Sequence, residues 1–162
     1  MVDTFEYKGH TFRIDERSDD CMGAPWEECD WHGPVSEWTT RNKLPGELVL
    51  ISNRRGRRYY NFQEACRLAR TEWGFSNRGD AAKAAMKDFE RLRAWCDNRW
   101  SYVVLEVTLL DDDGSSSVVW RSLGGVESDQ DISEYQHALA DECLYEVRHG
   151  SFKQALSLDP VI

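Results

Sequence analysis

The sequence predicts an α+β fold, an antiparallel sheet built from hairpins with about three helices packed on one face. Three observations carry this. Val103, Leu105, Val107 and Leu109 recur with the period of two that marks a strand, and Asp111-Asp112-Asp113-Gly114 turns that strand onto a partner. Ala82, Ala85, Met86, Phe89, Leu92 and Cys96 recur instead at helical spacing. The order of elements is strands, two helices, a hairpin and a helix, which is not the regular βαβ alternation of parallel sheets.

Each element has its own signal. Thr4–Tyr7 alternates, Lys8-Gly9 turns, and His10–Ile14 alternates back with Phe12 and Ile14 inward. Asp15–Asp20 reads as an acidic turn. Residues 21–46 are irregular, rich in glycine and proline, and carry Trp26, Trp31 and Trp38. So long a loop in a compact domain is uncommon and often functional, and three large aromatics predict that it is pinned to the body. Leu48–Ile51 is a short strand, Ser52–Arg58 a turn, and Tyr59-Tyr60 resumes the strand. Asn61 caps a helix over Phe62–Trp73, with Glu64 in the capping-box position. Asp80 caps the second, longer helix, with Lys83, Lys87 and Arg91 on another of its faces. Tyr102–Leu110 is the strongest strand, and Ser116–Arg121 returns beside it. Ser133 opens the last helix, with Tyr135, Leu139, Cys143 and Val147 as its stripe and Gly150 as its end.

At 162 residues the chain predicts a single domain over 1–162. With 41% hydrophobic and 30% charged residues it is neither disordered nor membrane-embedded. No apolar run approaches the roughly 20 residues of a membrane span. The N-terminus lacks the basic and apolar regions of a signal peptide, so the expected location is the cytoplasm. The five cysteines are odd in number and scattered, which speaks against a disulfide framework; Cys66, Cys96 and Cys143 read as small buried hydrophobes.

Charge is unevenly placed. Residues 1–40 hold ten acids and three bases, residues 41–100 seven and fourteen, and residues 101–162 twelve and three. A basic middle between acidic ends predicts a dipolar surface, unless the segments neutralise each other in the fold.

The chemistry-bearing motifs are few. Cys21, Cys29 and His32, with His10 nearby in the hairpin, are the best grouping with zinc-ligand character, and the second half of a zinc motif is missing, so no metal is expected. Asp111–Gly114 fails the calcium-loop pattern, having Ser116 and Ser122 where glycine and glutamate are required. No nucleophile elbow, zinc-protease helix or phosphate-binding loop is present, so no catalytic residue and no cofactor is nominated, and an enzyme stays open only through a Cys–His pair that meets in space and not in sequence. Arg54, Arg55, Arg57 and Arg58, followed by Tyr59 and Tyr60, form the one basic cluster, with forks for phosphates and rings for bases. The competing reading is a charged turn docking on the acidic remainder of the protein. Asp15, Glu16, Asp19, Asp20, Glu27, Glu28 and Asp30 crowd one acidic stretch, and Asp111, Asp112 and Asp113 another. Glu127, Asp129, Asp131 and Glu134 crowd a third. Carboxylates on a rigid fold can imitate a phosphate backbone and occupy a basic groove; the plain alternative is solubility charge. Trp26 and Trp31 within the first stretch suit a protein interface of anchors and charged rim.

Several stretches resemble a family of small proteins encoded by phages and prophages of Gram-negative bacteria. They are APWEECDWHGPVSEW at Ala24–Trp38, PGELVL at Pro45–Leu50, RYYNFQEACRLAR at Arg58–Arg70 and RLRAWCDNRW at Arg91–Trp100. VTLLDDDG at Val107–Gly114 and GGVESDQD at Gly124–Asp131 are also similar. Departures include Cys29 and Trp31. The resemblance implies a genomic setting and no catalytic residues. In that setting the expected function is stoichiometric inhibition of a host defence complex, of the anti-CRISPR or anti-restriction type. The partner would be a host protein or nucleoprotein complex with a basic groove, met in the bacterial cytoplasm and not at a membrane. The alternative is a nucleic-acid-associated accessory protein that uses Arg54–Tyr60.

Overall fold

The computed structural model describes residues 3–150. In chain order the elements are β1 (Asp3–Tyr7), β2 (His10–Ser18), α1 (Pro25–Glu28), β3 (Glu47–Asn53), β4 (Gly56–Asn61), α2 (Phe62–Thr71), α3 (Arg78–Cys96), β5 (Tyr102–Leu110), β6 (Ser116–Glu127) and α4 (Ser133–His149). The fold is α+β, with antiparallel hairpin sheets and, among the described residues, three substantial helices. The strands divide over two sheets, a four-stranded one in the order β1-β2-β5-β6 and the β3-β4 hairpin. The chain correspondingly forms two compact units. Unit 1 comprises residues 3–19 and 102–150, and unit 2 is Asp20–Ser101.

In unit 1, Lys8 and Gly9 both adopt positive φ, 49° and 78°, the twist that a two-residue hairpin turn requires and that glycine supplies without strain. β2 runs on to Ser18, so Asp15–Ser18 is strand and not the predicted turn. The reason is pairing: β5 meets β2 from Phe12↔Leu109 to Ser18↔Val103 and supplies its backbone partners. β6 likewise extends past Arg121 to Glu127, its register with β5 shifting twice along the way. Phe12, Ile14, Val103, Leu105, Val107, Leu109, Val119 and Val126 pack from one sheet face against Leu139, Ala140, Cys143 and Leu144 of α4. Burying each large apolar side chain here contributes about 1.5–3 kcal/mol.

The helical stripe of α4 differs from the expected one. Val147 is exposed, whereas Ala140 and Leu144 are buried. A strict i+4 series advances about 400° per step and so drifts about 40° around the helix each time; by Val147 it has left the packed face.

In unit 2, Leu50, Tyr60, Ala65, Ala85, Phe89 and Leu92 form the core, with Trp26, Leu48, Phe62 and Trp73 packed around it. Asn61 caps α2 as expected, accepting the Glu64 N–H at 3.0 Å. Glu64 does not complete the box; its carboxylate takes both forks of Arg67. α3 starts at Arg78, earlier than predicted, because Asn77 and not Asp80 is the cap, accepting the Asp80 N–H at 2.8 Å. Met86 is exposed and Ala81 takes the buried position.

The irregular segment ahead of β3 is tied down by its backbone. Ser36 N–H bonds Tyr59 O, Thr39 N–H and Arg57 exchange bonds, and Asn61 N–H bonds Pro34 O. Residues 34–39 therefore run along β4 as an irregular third strand, which satisfies an edge that the hairpin alone would leave open.

Candidate functional site

Several of the acidic residues that the sequence nominates are held by hydrogen bonds or ion pairs. Asp15 is paired with Arg13 at 2.6 Å. Asp19 accepts the Gly125 N–H at 2.7 Å and so tethers the end of β6. Glu27 and Glu28 fold back onto the N–H groups of Ala24 and Gly23 at the start of α1. Asp113 accepts the Ser115 N–H within the β5–β6 turn, and hydrogen bonds from Ser115 hold its carboxyl below the ordinary aspartate range. The Ser133 hydroxyl and N–H do the same for Asp131 at the start of α4. Glu16, Asp20, Asp30, Asp111 and Asp112 are exposed.

Along β2 the carboxylates do not form a continuous strip. Asp15 shares a face with Arg13 and Arg17, and Glu16 points to the other face. The β2–β5 register puts Ser18 beside Val103 and Phe12 beside Leu109, so Asp15–Asp19 and Asp111–Asp113 lie toward opposite ends of the sheet.

The tryptophans also separate. Trp26 and Trp38 are half-buried, whereas Trp31 is 68% exposed; the segment is pinned by two of its three indoles. Trp26 meets Trp95 edge-on with centroids 5.4 Å apart.

In the basic cluster, Arg54, Arg55 and Arg57 are exposed on and beside the β3–β4 turn. Tyr59 and Tyr60 are 1% and 0% exposed and belong to the core. They present no ring face to a base: Tyr59 O–H donates to Arg41 O at 2.8 Å, and Tyr60 O–H to Asp88 at 2.7 Å. Arg58 turns inward, onto the Trp26 and Trp38 rings.

Sequence spacing gives no hint of a node around Asp88. One carboxylate oxygen meets His32 Nδ1 at 2.6 Å. The other accepts the Gly33 N–H at 2.8 Å and the Tyr60 O–H. Burial and the adjacent Asp88 charge push the Tyr60 phenol far above its usual range. A carboxylate that orients an imidazole is the geometry of a general-base pair, but the same bonds also clamp the irregular segment onto α3. His32 and Asp88 are 56 positions apart, and neither periodicity nor any short motif links them.

All five cysteines are free thiols. Burial raises Cys143 to about 11 and moves Cys66 and Cys96 upward as well, which disfavours the nucleophilic thiolate. Among the described residues no three His, Cys, Asp or Glu side chains converge to hold a metal. Cys66 and Ala81 floor a cleft of about 500 Å³ between α2 and α3, flanked by Arg67, Arg70 and Arg78. No helix among the described residues is long and apolar enough to cross a membrane.

Compared with known proteins, the chain matches no family model, no curated protein and no solved structure.

Proposed function

We propose that the protein is a non-catalytic, phage- or mobile-element-encoded inhibitor that binds a host defence complex, of the anti-CRISPR or anti-restriction type, in the host cytoplasm. It presents unit 1 to a basic groove on that partner. The observation that carries this reading is the segregation of charge. The described residues of unit 1 hold sixteen acids and five bases, a net of −11, whereas unit 2 holds twelve acids and fourteen bases, a net of +2. A field concentrated on one unit steers a basic partner and sets its orientation. The arginines interleaved on β2 argue for general charge complementarity and against a regular copy of phosphate spacing. The motif resemblance of Ala24–Trp38 directs the search to defence complexes.

The test is capture from host lysate on the immobilised protein, followed by a salt gradient. A defence component should elute between about 0.1 and 1 M salt, as the screening length falls from about 10 to 3 Å. Replacing Asp111, Asp112 and Asp113 with asparagine should leave stability within about 0.5 kcal/mol and weaken capture if the β5–β6 turn is in contact. Recovery of no defence component, together with unchanged phage plating, would end this reading.

A second reading rests on Arg54, Arg55 and Arg57, exposed and unpaired with any carboxylate among the described residues. Three phosphate contacts would give an electrophoretic shift whose log–log salt slope is about −2 to −3. No shift at low salt eliminates it.

A further inference from the structure

Arg58 is a largely buried cation that lacks a hydrogen-bond acceptor among the described residues. Its side chain is 14% exposed. The guanidinium lies 5.5 Å from the Trp26 ring centroid and 5.1 Å from that of Trp38. Among the described residues the one carboxylate in range is Glu37, at 4.0 Å and itself 96% exposed. That distance is the outer limit of an ion pair and too long for a hydrogen bond. No hydrogen bond from the Arg58 side chain occurs among the described residues.

Beside this cation opens a cleft of about 160 Å³, lined by Arg58 itself, Ala24, Trp26, Trp38, Ile51, Trp95 and Cys96. Trp26, which also lines the cleft, has its Nε1 buried with no hydrogen-bond partner among the described residues. The two indoles offset part of the cost of burying the guanidinium by cation–π attraction. That attraction acts through ring faces and leaves the in-plane N–H fork unused. The fork fits the two oxygens of a carboxylate, and indole faces suit a flat apolar body. A volume below the roughly 300–1,000 Å³ of drug-sized sites admits a one-ring ligand.

We propose that this cleft binds a small carboxylate carried on a flat apolar body, its oxygens on the Arg58 fork and its ring against the lining indoles. The same chemistry is offered by a free aromatic acid and by the C-terminus of a peptide ending in an aromatic residue. The site is independent of the charge surface of unit 1.

The experiment titrates benzoate and its neutral isostere benzamide at constant ionic strength, following the indole N–H signals by NMR. Single Trp→Phe variants assign those signals. Benzoate is expected to shift the Trp26, Trp38 and Trp95 signals saturably with a Kd at or below about 1 mM, and benzamide to bind about tenfold more weakly or worse. Arg58→Gln is expected to abolish the benzoate effect. Because Arg58 also packs, Glu37→Gln gives a test that leaves the interior untouched. Removing that exposed competing carboxylate should tighten benzoate about two- to threefold. The peptide Gly-Gly-Phe, with a free or an amidated terminus, separates the two sources: tighter binding of the free peptide than of benzoate identifies a chain end, and the reverse identifies a free acid. Equal affinity for benzoate and benzamide, no saturable shift by about 10 mM, or an unchanged benzoate affinity in Glu37→Gln overturns the proposal.

Discussion

Gly33 has no room for a side chain. A Cβ there would lie 2.5 Å from Tyr60 Oη and 2.7 Å from the Ala65 Cβ, and both neighbours are in the core. Gly33→Ala is therefore expected to cost about 1–3 kcal/mol by overpacking, read as a lower urea midpoint with an unchanged slope. A midpoint like that of the parent would show that the irregular segment does not need its clamp. Glu47 makes a residue-scale prediction of a different kind. The Arg41 fork, at 2.6 Å and 2.8 Å, holds its carboxyl below the ordinary range, helped by the Leu44 N–H. The folded group thus binds protons more weakly than the unfolded one, whose pKa is about 4.3. The stability it contributes is complete above that value and is lost as pH falls through the lower folded value. Glu47→Gln should flatten the decline in unfolding free energy below about pH 4.5, and an identical acid limb in both proteins would contradict the assignment. Neither position was legible in the sequence. In the sequence Gly33 is one glycine of an irregular segment and Glu47 one acid among many, because a close approach or a fork is made by residues that the chain brings together only after folding.

At the scale of elements the sequence is far more informative. The Tyr102–Leu110 strand and the Asn61 cap follow from alternation and from one side-chain oxygen, both local properties. Asn61→Ala should cost about 0.5–2 kcal/mol, measurable as a shift of the thermal midpoint. Where the expected strand and the tyrosine pair differ, a distant partner decides. Asp15–Ser18 has turn-like composition and becomes strand because β5 lies alongside. Tyr59 and Tyr60 look like a stacking pair beside arginines, yet the core of unit 2 and the segment running along β4 enclose them. Local charge advertised an RNA- or DNA-like contact at these rings; long-range packing put them out of reach.

For the whole molecule, composition reported the charge imbalance but not the two units, because strands run directly into both junctions with no linker-like stretch to mark them. The junctions are adjacent in space: Asp19 N–H bonds Tyr102 O at 3.0 Å. Replacing Asp20–Ser101 with a short Asn-Gly turn should therefore join β2 to β5 as an ordinary hairpin. Unit 1 is expected to keep its β-sheet circular dichroism and a cooperative melt; a noncooperative chain would show that its core depends on the removed segment.

That single backbone bond also sets an order of events at the ribosome. β2 is made before its partner β5, with β1 the described strand ahead of it, and its inner edge must wait while the whole of Asp20–Ser101 is made. At about 5–20 residues per second the delay is on the order of ten seconds, far longer than the microseconds in which hairpins and helices form. Unit 2 has all of its own sequence during that wait, whereas the acidic unit closes only after β5 and β6 arrive. The exposed strand edge meanwhile carries Arg13, Asp15, Glu16 and Arg17, and such charges deter mispairing with other nascent chains. The charged edge of β2, two arginines beside two carboxylates, is thus expected to resist mispairing until β5 arrives.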